Sequence, residues 1–81
     1  MELKDTIELM TSDDYKDRFR AEYWQTQIRY DKLHKMLVKY DAGTLPFEIA
    51  SDVELLRRQA KIMCDYLYYL EARAETEEIE L

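Results

Sequence analysis

Apolar residues recur along this chain at alternating steps of four and three. Phe19, Tyr23, Thr26, Tyr30, Leu33, Leu37 and Tyr40 form one such row, and Val53, Leu56, Ala60, Met63, Leu67, Leu70 and Ala74 form a second. A row with this spacing follows one face of an α-helix. The pattern therefore predicts two long amphipathic helices, over 13–41 and 52–77, facing each other along complementary seams. Ser12 is the expected N-cap of the first, with Asp13 and Asp14 at its positive end. Gly43 is expected to end it in the left-handed conformation. Residues 42–51 form a connector in which Pro46 stops helix continuation, and Leu45, Phe47 and Ile49 are expected to cover the end of the hairpin core. Ser51-Asp52-Val53-Glu54 reads as a capping box for the second helix, which is expected to fray near Glu77. Residues 1–11 hold a short N-terminal helix with Leu3, Ile7 and Met10 as its apolar face, broken by Thr11-Ser12-Asp13-Asp14.

The predicted fold class is all-α: one domain, 1–81, made of a short N-terminal helix and a long antiparallel helical hairpin about 40 Å in length. A hairpin needs one seam per helix, yet both helices carry more. Trp24 and Ile28 lie beside the first seam, and Leu55, Ile62, Tyr66 and Tyr69 lie outside the second. The N-terminal helix has apolar residues for part of one stripe only. The remainder calls for another subunit, so a compact homo-oligomer is expected.

Composition supports that expectation. A chain of 81 residues buries a modest core. A single cysteine, Cys64, excludes an internal disulfide, and a single histidine, His34, excludes a Cys/His zinc cluster. The net charge of −6 is uneven: residues 15–61 hold ten Lys/Arg against seven Asp/Glu, while both ends are acidic. An acidic total argues against binding long nucleic acid but leaves room for a local basic site taking a compact anion. No run is apolar enough to span a membrane, and the start MELKDTIELM lacks a secretory pattern, so a cytoplasmic location is expected.

Nothing in the sequence demands catalysis, and no cofactor or metal is expected. Cys64, between Met63 and Leu67, reads as a buried inert thiol. His34 reads first as a solvated histidine, second as a ligand contact. Two stretches mix cations with aromatic residues: Arg29 to Lys35 near Tyr23 and Tyr30, and Arg57, Arg58 and Lys61 near Tyr66 and Tyr69. Cations and stacking rings suit a nucleotide. Most long helices carry such mixtures, so composition alone favours a plain surface.

The stretch from Arg29 to Arg73 carries a resemblance. It reads R-Y-D-K-L-H-K-M-L, a Gly/Pro connector with L-P-F, then E-L-L-R-R-Q-A-K-I-M-C-D-Y-L-Y-Y-L-E-A-R. Within it, Leu56, Gln59, Met63, Tyr66, Leu70 and Arg73 form a pattern whose polar members a plain seam would not require. The chain resembles the phage anti-CBASS sponges, small helical-hairpin proteins that sequester cyclic oligonucleotide immune signals, and whose hairpin is shared with anti-Thoeris sponges. The resemblance implies a homohexamer in the cytoplasm of the infected bacterial host. It would bind cyclic dinucleotides and cyclic trinucleotides between subunits without cleaving them, cyclic ADP-ribose products being a further ligand class. It implies that Tyr15 stacks on a base, that Lys32 meets phosphates with His34 two residues on, and that Arg73, closing a pattern that includes Tyr66, lines a separate trinucleotide pocket. The bland alternative for Arg73 is an ion pair with Glu71 or Glu75. The rival for the whole chain is a helical protein-interaction module or inhibitor of a host protein with no nucleotide ligand.

Overall fold

The computed structural model describes residues 1–81, and all of its regular elements are helices. A 3-10 turn at Leu3–Thr6 leads into α1 (Ile7–Met10), followed by α2 (Tyr15–Ala42) and α3 (Val53–Glu77). The long helices lie antiparallel in a molecule measuring 43 × 24 × 17 Å. No helix is long and apolar enough to cross a membrane.

The two seams meet most tightly at the open end of the hairpin. Phe19, Tyr23, Leu67, Leu70, Ala74 and Ile79 form the buried cluster, with Trp24 and Tyr30 packed against it. Leu70 is only 1% exposed. Toward the connector the seam loosens: Leu33, Leu56 and Met63 are half-buried, and Tyr40, in the predicted row, is exposed. A pair of helices with no third layer beside it leaves the flanks of each seam open. That is also why Cys64, expected to be buried, is exposed.

Helix ends follow local chemistry, displaced from the expected caps. α2 starts two residues later than expected, at Tyr15, because Asp14 rather than Ser12 is its cap: the Asp14 carboxylate accepts from the Lys16 N–H at 2.9 Å. Ser12 instead donates to Asp17 at 2.8 Å. α3 is capped by Asp52, which accepts from the Glu54 N–H at 2.9 Å, so the Ser51–Glu54 capping box does not form. In both cases the aspartate immediately before the helix supplies a carboxylate, the stronger acceptor for N–H groups at a positive helix end. Gly43 does adopt the left-handed conformation, with φ 75°. Its N–H donates to Tyr40 and the Thr44 N–H to Lys39, a Schellman closure.

The N-terminal segment turns a different face than its apolar spacing predicted. Ile7 and Met10 are exposed, whereas Thr6 is 1% exposed. The segment begins as a 3-10 helix, in which residues three apart align, so Leu3, Thr6 and Leu9 are its partly or fully buried positions. Thr6 donates to the Leu3 carbonyl and accepts from Gln25 Nε2 at 2.9 Å. This contact ties the segment to α2, buries Ala21 and half-covers Ile28. Trp24 packs edge-on to Tyr23, centroids 5.0 Å apart. The second stripe of α2 is thus largely occupied within the chain. The stripe of α3 is not: Leu55, Ile62, Tyr66 and Tyr69 are all exposed, Ile62 to 67%.

The C-terminus does not fray. Glu78 takes the left-handed conformation and the Ile79 N–H donates to the Ala74 carbonyl at 2.8 Å. Ile79 is thereby folded back into the core. Lys16 donates to the Glu78 carbonyl at 3.2 Å and Arg20 to the Glu80 carbonyl at 2.6 Å, holding the tail against the start of α2.

Candidate functional site

The five residues singled out in the sequence fall into separate groups. Tyr15, in the first turn of α2, and Arg73, near the end of α3, meet at the open end because the helices are antiparallel. Arg73 donates through Nε to Glu77 at 2.8 Å, and its guanidinium carbon stands 4.9 Å from the centroid of Phe19. The Arg73 hydrogen bond and charge hold the Glu77 carboxyl below the ordinary carboxylate range, with Tyr15 and Lys16 adding to that depression. The carboxylate in turn raises Arg73. Arg73 therefore has an ion-pair partner, though neither of the two expected. Glu71 and Glu75 are two residues away and project from the other side of the helix, while Glu77 at i+4 shares the face of Arg73. Tyr15, Arg73 and Glu77 remain solvent-accessible.

Lys32 lies elsewhere. Seventeen residues of α2 separate it from Tyr15, about 26 Å along the axis. Its side chain lines two shallow grooves. One runs under the N-terminal turn with Met1, Leu3 and Ile28, and the other runs toward the connector. His34 does not share that surface, because two residues on a helix differ by roughly 200° in direction. Its ring stacks on Tyr30, centroids 5.8 Å apart, on the side where Tyr30 reaches Cys64. Burial, and then the Cys64 thiol, push the Tyr30 hydroxyl up. Tyr66 lies near that level on α3, exposed and with no hydrogen bond to its hydroxyl. One chain thus brings Tyr15 to Arg73 but joins neither to Lys32.

The basic stretches also separate. Arg57 forms a bidentate pair with Asp41 across the hairpin, its Nη1 3.0 Å from Oδ2, and Lys61 approaches Asp65 at 3.8 Å. Most of the charge on that stretch is neutralised. Arg29, Lys32, Lys35 and Lys39 have no carboxylate partner. Four unpaired cations within eleven residues form the cationic face of an otherwise acidic protein. Lys39 lies outside the basic stretches that the sequence marks, although its distance from any residue able to pair with it along the helix is a usable signal.

Comparison with known proteins adds one relationship. No curated protein and no solved structure matches the chain. The model of one family, Sequestin, matches residues 13–76, a span that covers both long helices almost completely, together with the connector, Tyr15, Lys32, Tyr66 and Arg73. With well over half of its length matched in this way, the chain belongs to the Sequestin family.

Proposed function

We propose that this protein sequesters cyclic oligonucleotide signals, cyclic dinucleotides and cyclic trinucleotides among them, by binding them between copies of itself and doing no chemistry on them. The family match over 13–76 carries the proposal, since the family's name denotes sequestration. The structure supports the inter-subunit part. Tyr15 and Lys32 are about 26 Å apart on one rigid helix, so a single pocket using both needs a second chain. The individual core is also thin, with nine of 81 residues buried, and the apolar stripe of α3 is left uncovered. A small chain gains both stability and depth of pocket by assembling, and a homohexamer is the assembly proposed. Lys32 meets phosphates, Tyr15 stacks on a base, and His34 and Tyr66 face ligand from another side of the hairpin. Arg73, paired with Glu77 in the free chain, exchanges that partner for a phosphate of a trinucleotide. The setting is the cytoplasm of an infected bacterium, where capture of the signal blocks CBASS-type defence.

Isothermal titration against cyclic dinucleotides, cyclic trinucleotides and cyclic ADP-ribose products tests the reading. The bound ligand is then released by heat denaturation and identified by mass. Recovery of intact ligand is expected. Degraded ligand identifies an enzyme. Absence of binding across the panel favours the second reading, a helical module that docks on a host protein through the exposed Leu55, Ile62, Tyr66 and Tyr69 stripe.

A further inference from the structure

The connector end of the hairpin holds a surface that neither seam nor cap explains. Lys32, Lys35 and Lys39 sit at i, i+3 and i+7, within a narrow arc of α2, and face a groove of about 350 Å³ closed on its far side by Leu45, Pro46 and Phe47. None of the three lysines has a carboxylate within ion-pair distance. The nearby acids are engaged elsewhere: Asp41 holds Arg57, and Asp31 accepts from Gln27. The helix dipole accounts for a cation in the last turn, which is Lys39. It does not account for Lys32, ten residues from the helix end and well beyond that reach. Phe47 is 57% exposed, although the sequence places it where a core-covering residue is expected. An exposed phenyl ring beside three unneutralised ammonium groups gives one groove both a stacking face and a cationic wall.

We propose that this groove is a binding subsite for a ligand with two or more phosphoryl groups and a flat ring, the lysines taking the phosphates and Phe47 stacking on the ring. The volume suits a nucleotide. Pro46 restricts the backbone next to Phe47 and limits the ordering needed when the ring is engaged. The inference deepens the sequestration reading and rests on it. It extends the phosphate-binding role from Lys32 alone to a three-lysine row, and adds Phe47 as a second stacking residue distinct from Tyr15.

The test uses the full chain in its native assembly, with cyclic di-AMP, ATP and inorganic pyrophosphate as probes. Phe47→Ala, Phe47→Trp and the double variant Lys35→Ala/Lys39→Ala change exposed side chains, and circular dichroism and light scattering verify that fold and mass are unchanged. Expected are a loss of about tenfold in cyclic di-AMP affinity for Phe47→Ala, retention for Phe47→Trp, and a loss of tenfold or more for the double lysine variant. Pyrophosphate, having no ring, responds to the lysine change and not to Phe47→Ala. Wild-type binding of cyclic di-AMP that neither Phe47→Ala nor the double lysine variant alters overturns the subsite and leaves sequestration standing. Binding of ATP but not of cyclic di-AMP, sensitive to both variants, keeps the subsite and removes the cyclic ligand. If no probe binds wild type, both fall.

Discussion

The guanidinium of Arg73 lies over the ring of Phe19, 4.9 Å from its centroid, and joins the last turns of α3 to the first turns of α2. Glu77 fixes it there through a hydrogen bond of 2.8 Å. A cation held this way is already organised for an anion, but Glu77 competes with that anion for it. Two substitutions separate those effects. Arg73→Ala removes an exposed cation–π contact and ion pair, so the fold is expected to change little. It is expected to abolish cyclic trinucleotide binding while leaving dinucleotide binding nearly intact, because distant sites behave independently. Glu77→Gln frees Arg73 and is expected to tighten trinucleotide binding. Calorimetric titration of both variants checks this; equal weakening of both ligands by Arg73→Ala removes the two-pocket assignment.

Acid should loosen both ends of the hairpin. Glu77 is held down chiefly by its hydrogen bond to Arg73, and Asp41 by its hydrogen bond to Arg57. A carboxylate with a depressed folded value contributes its stability fully above the ordinary carboxylate range, and loses it as pH falls from there through the depressed value. Urea midpoints measured downward from pH 6 should fall through that window. Asp41→Asn should flatten the dependence, and an unchanged slope would show that this pair adds nothing.

Assembly is read from the α3 stripe. Light scattering should give a mass several times 9.9 kDa. Ile62→Glu and Tyr69→Glu, at positions 67% and 65% exposed in the single chain, should lower that mass while helicity holds at high protein concentration. A monomer in the wild type at micromolar concentration would sink the inter-subunit pocket.

Lys32 is expected to be the most sensitive single position for dinucleotide binding. Losing one charge-assisted contact costs about 1.5–3 kcal/mol, and Lys32→Glu adds repulsion. The side chain is exposed, so fold and mass should be unaffected. Wild-type affinity in folded Lys32→Glu would remove it from the site.

The folded-back tail should carry stability out of proportion to its length. Ile79→Ala deletes a side chain from the main cluster and is expected to cost about 2–4 kcal/mol, comparable with Leu70→Ala. A truncation ending at Glu78 should behave similarly. Thermal unfolding of the three variants tests this, with a change under about 0.5 kcal/mol for Ile79→Ala ruling out a core role.

Much of the scaffold was legible in advance. The steps of three and four from Phe19 to Leu37 and from Val53 to Ala74 identify the two helices and most of the faces they turn to each other, because helix periodicity is a local property of the backbone. Gly43 announced its left-handed cap for the same reason. Of the candidate residues, the sequence could place Tyr15, Lys32, His34, Tyr66 and Arg73 on helices. It could not say which share a surface. Sequence adjacency offers Glu71 or Glu75 to Arg73, but helix geometry selects Glu77.

Periodicity and cap chemistry are written in nearest neighbours, and so two amphipathic helices, their antiparallel return and a surplus of apolar surface follow from residue order alone. Folding settles what depends on contacts far apart in the chain. Thr6 reaches Gln25, which turns the N-terminal segment by its 3-10 period and covers the second stripe of α2. Lys16 and Arg20 reach the carbonyls of Glu78 and Glu80, which converts an acidic end expected to fray into part of the core. Arg57 is neutralised by Asp41 while Lys32, Lys35 and Lys39 stay unpaired. Such pairings follow from which helix faces are brought together and at what level. A single strand of sequence does not specify that until the hairpin closes, because the free energy that selects them comes from burying and pairing groups that the unfolded chain holds apart.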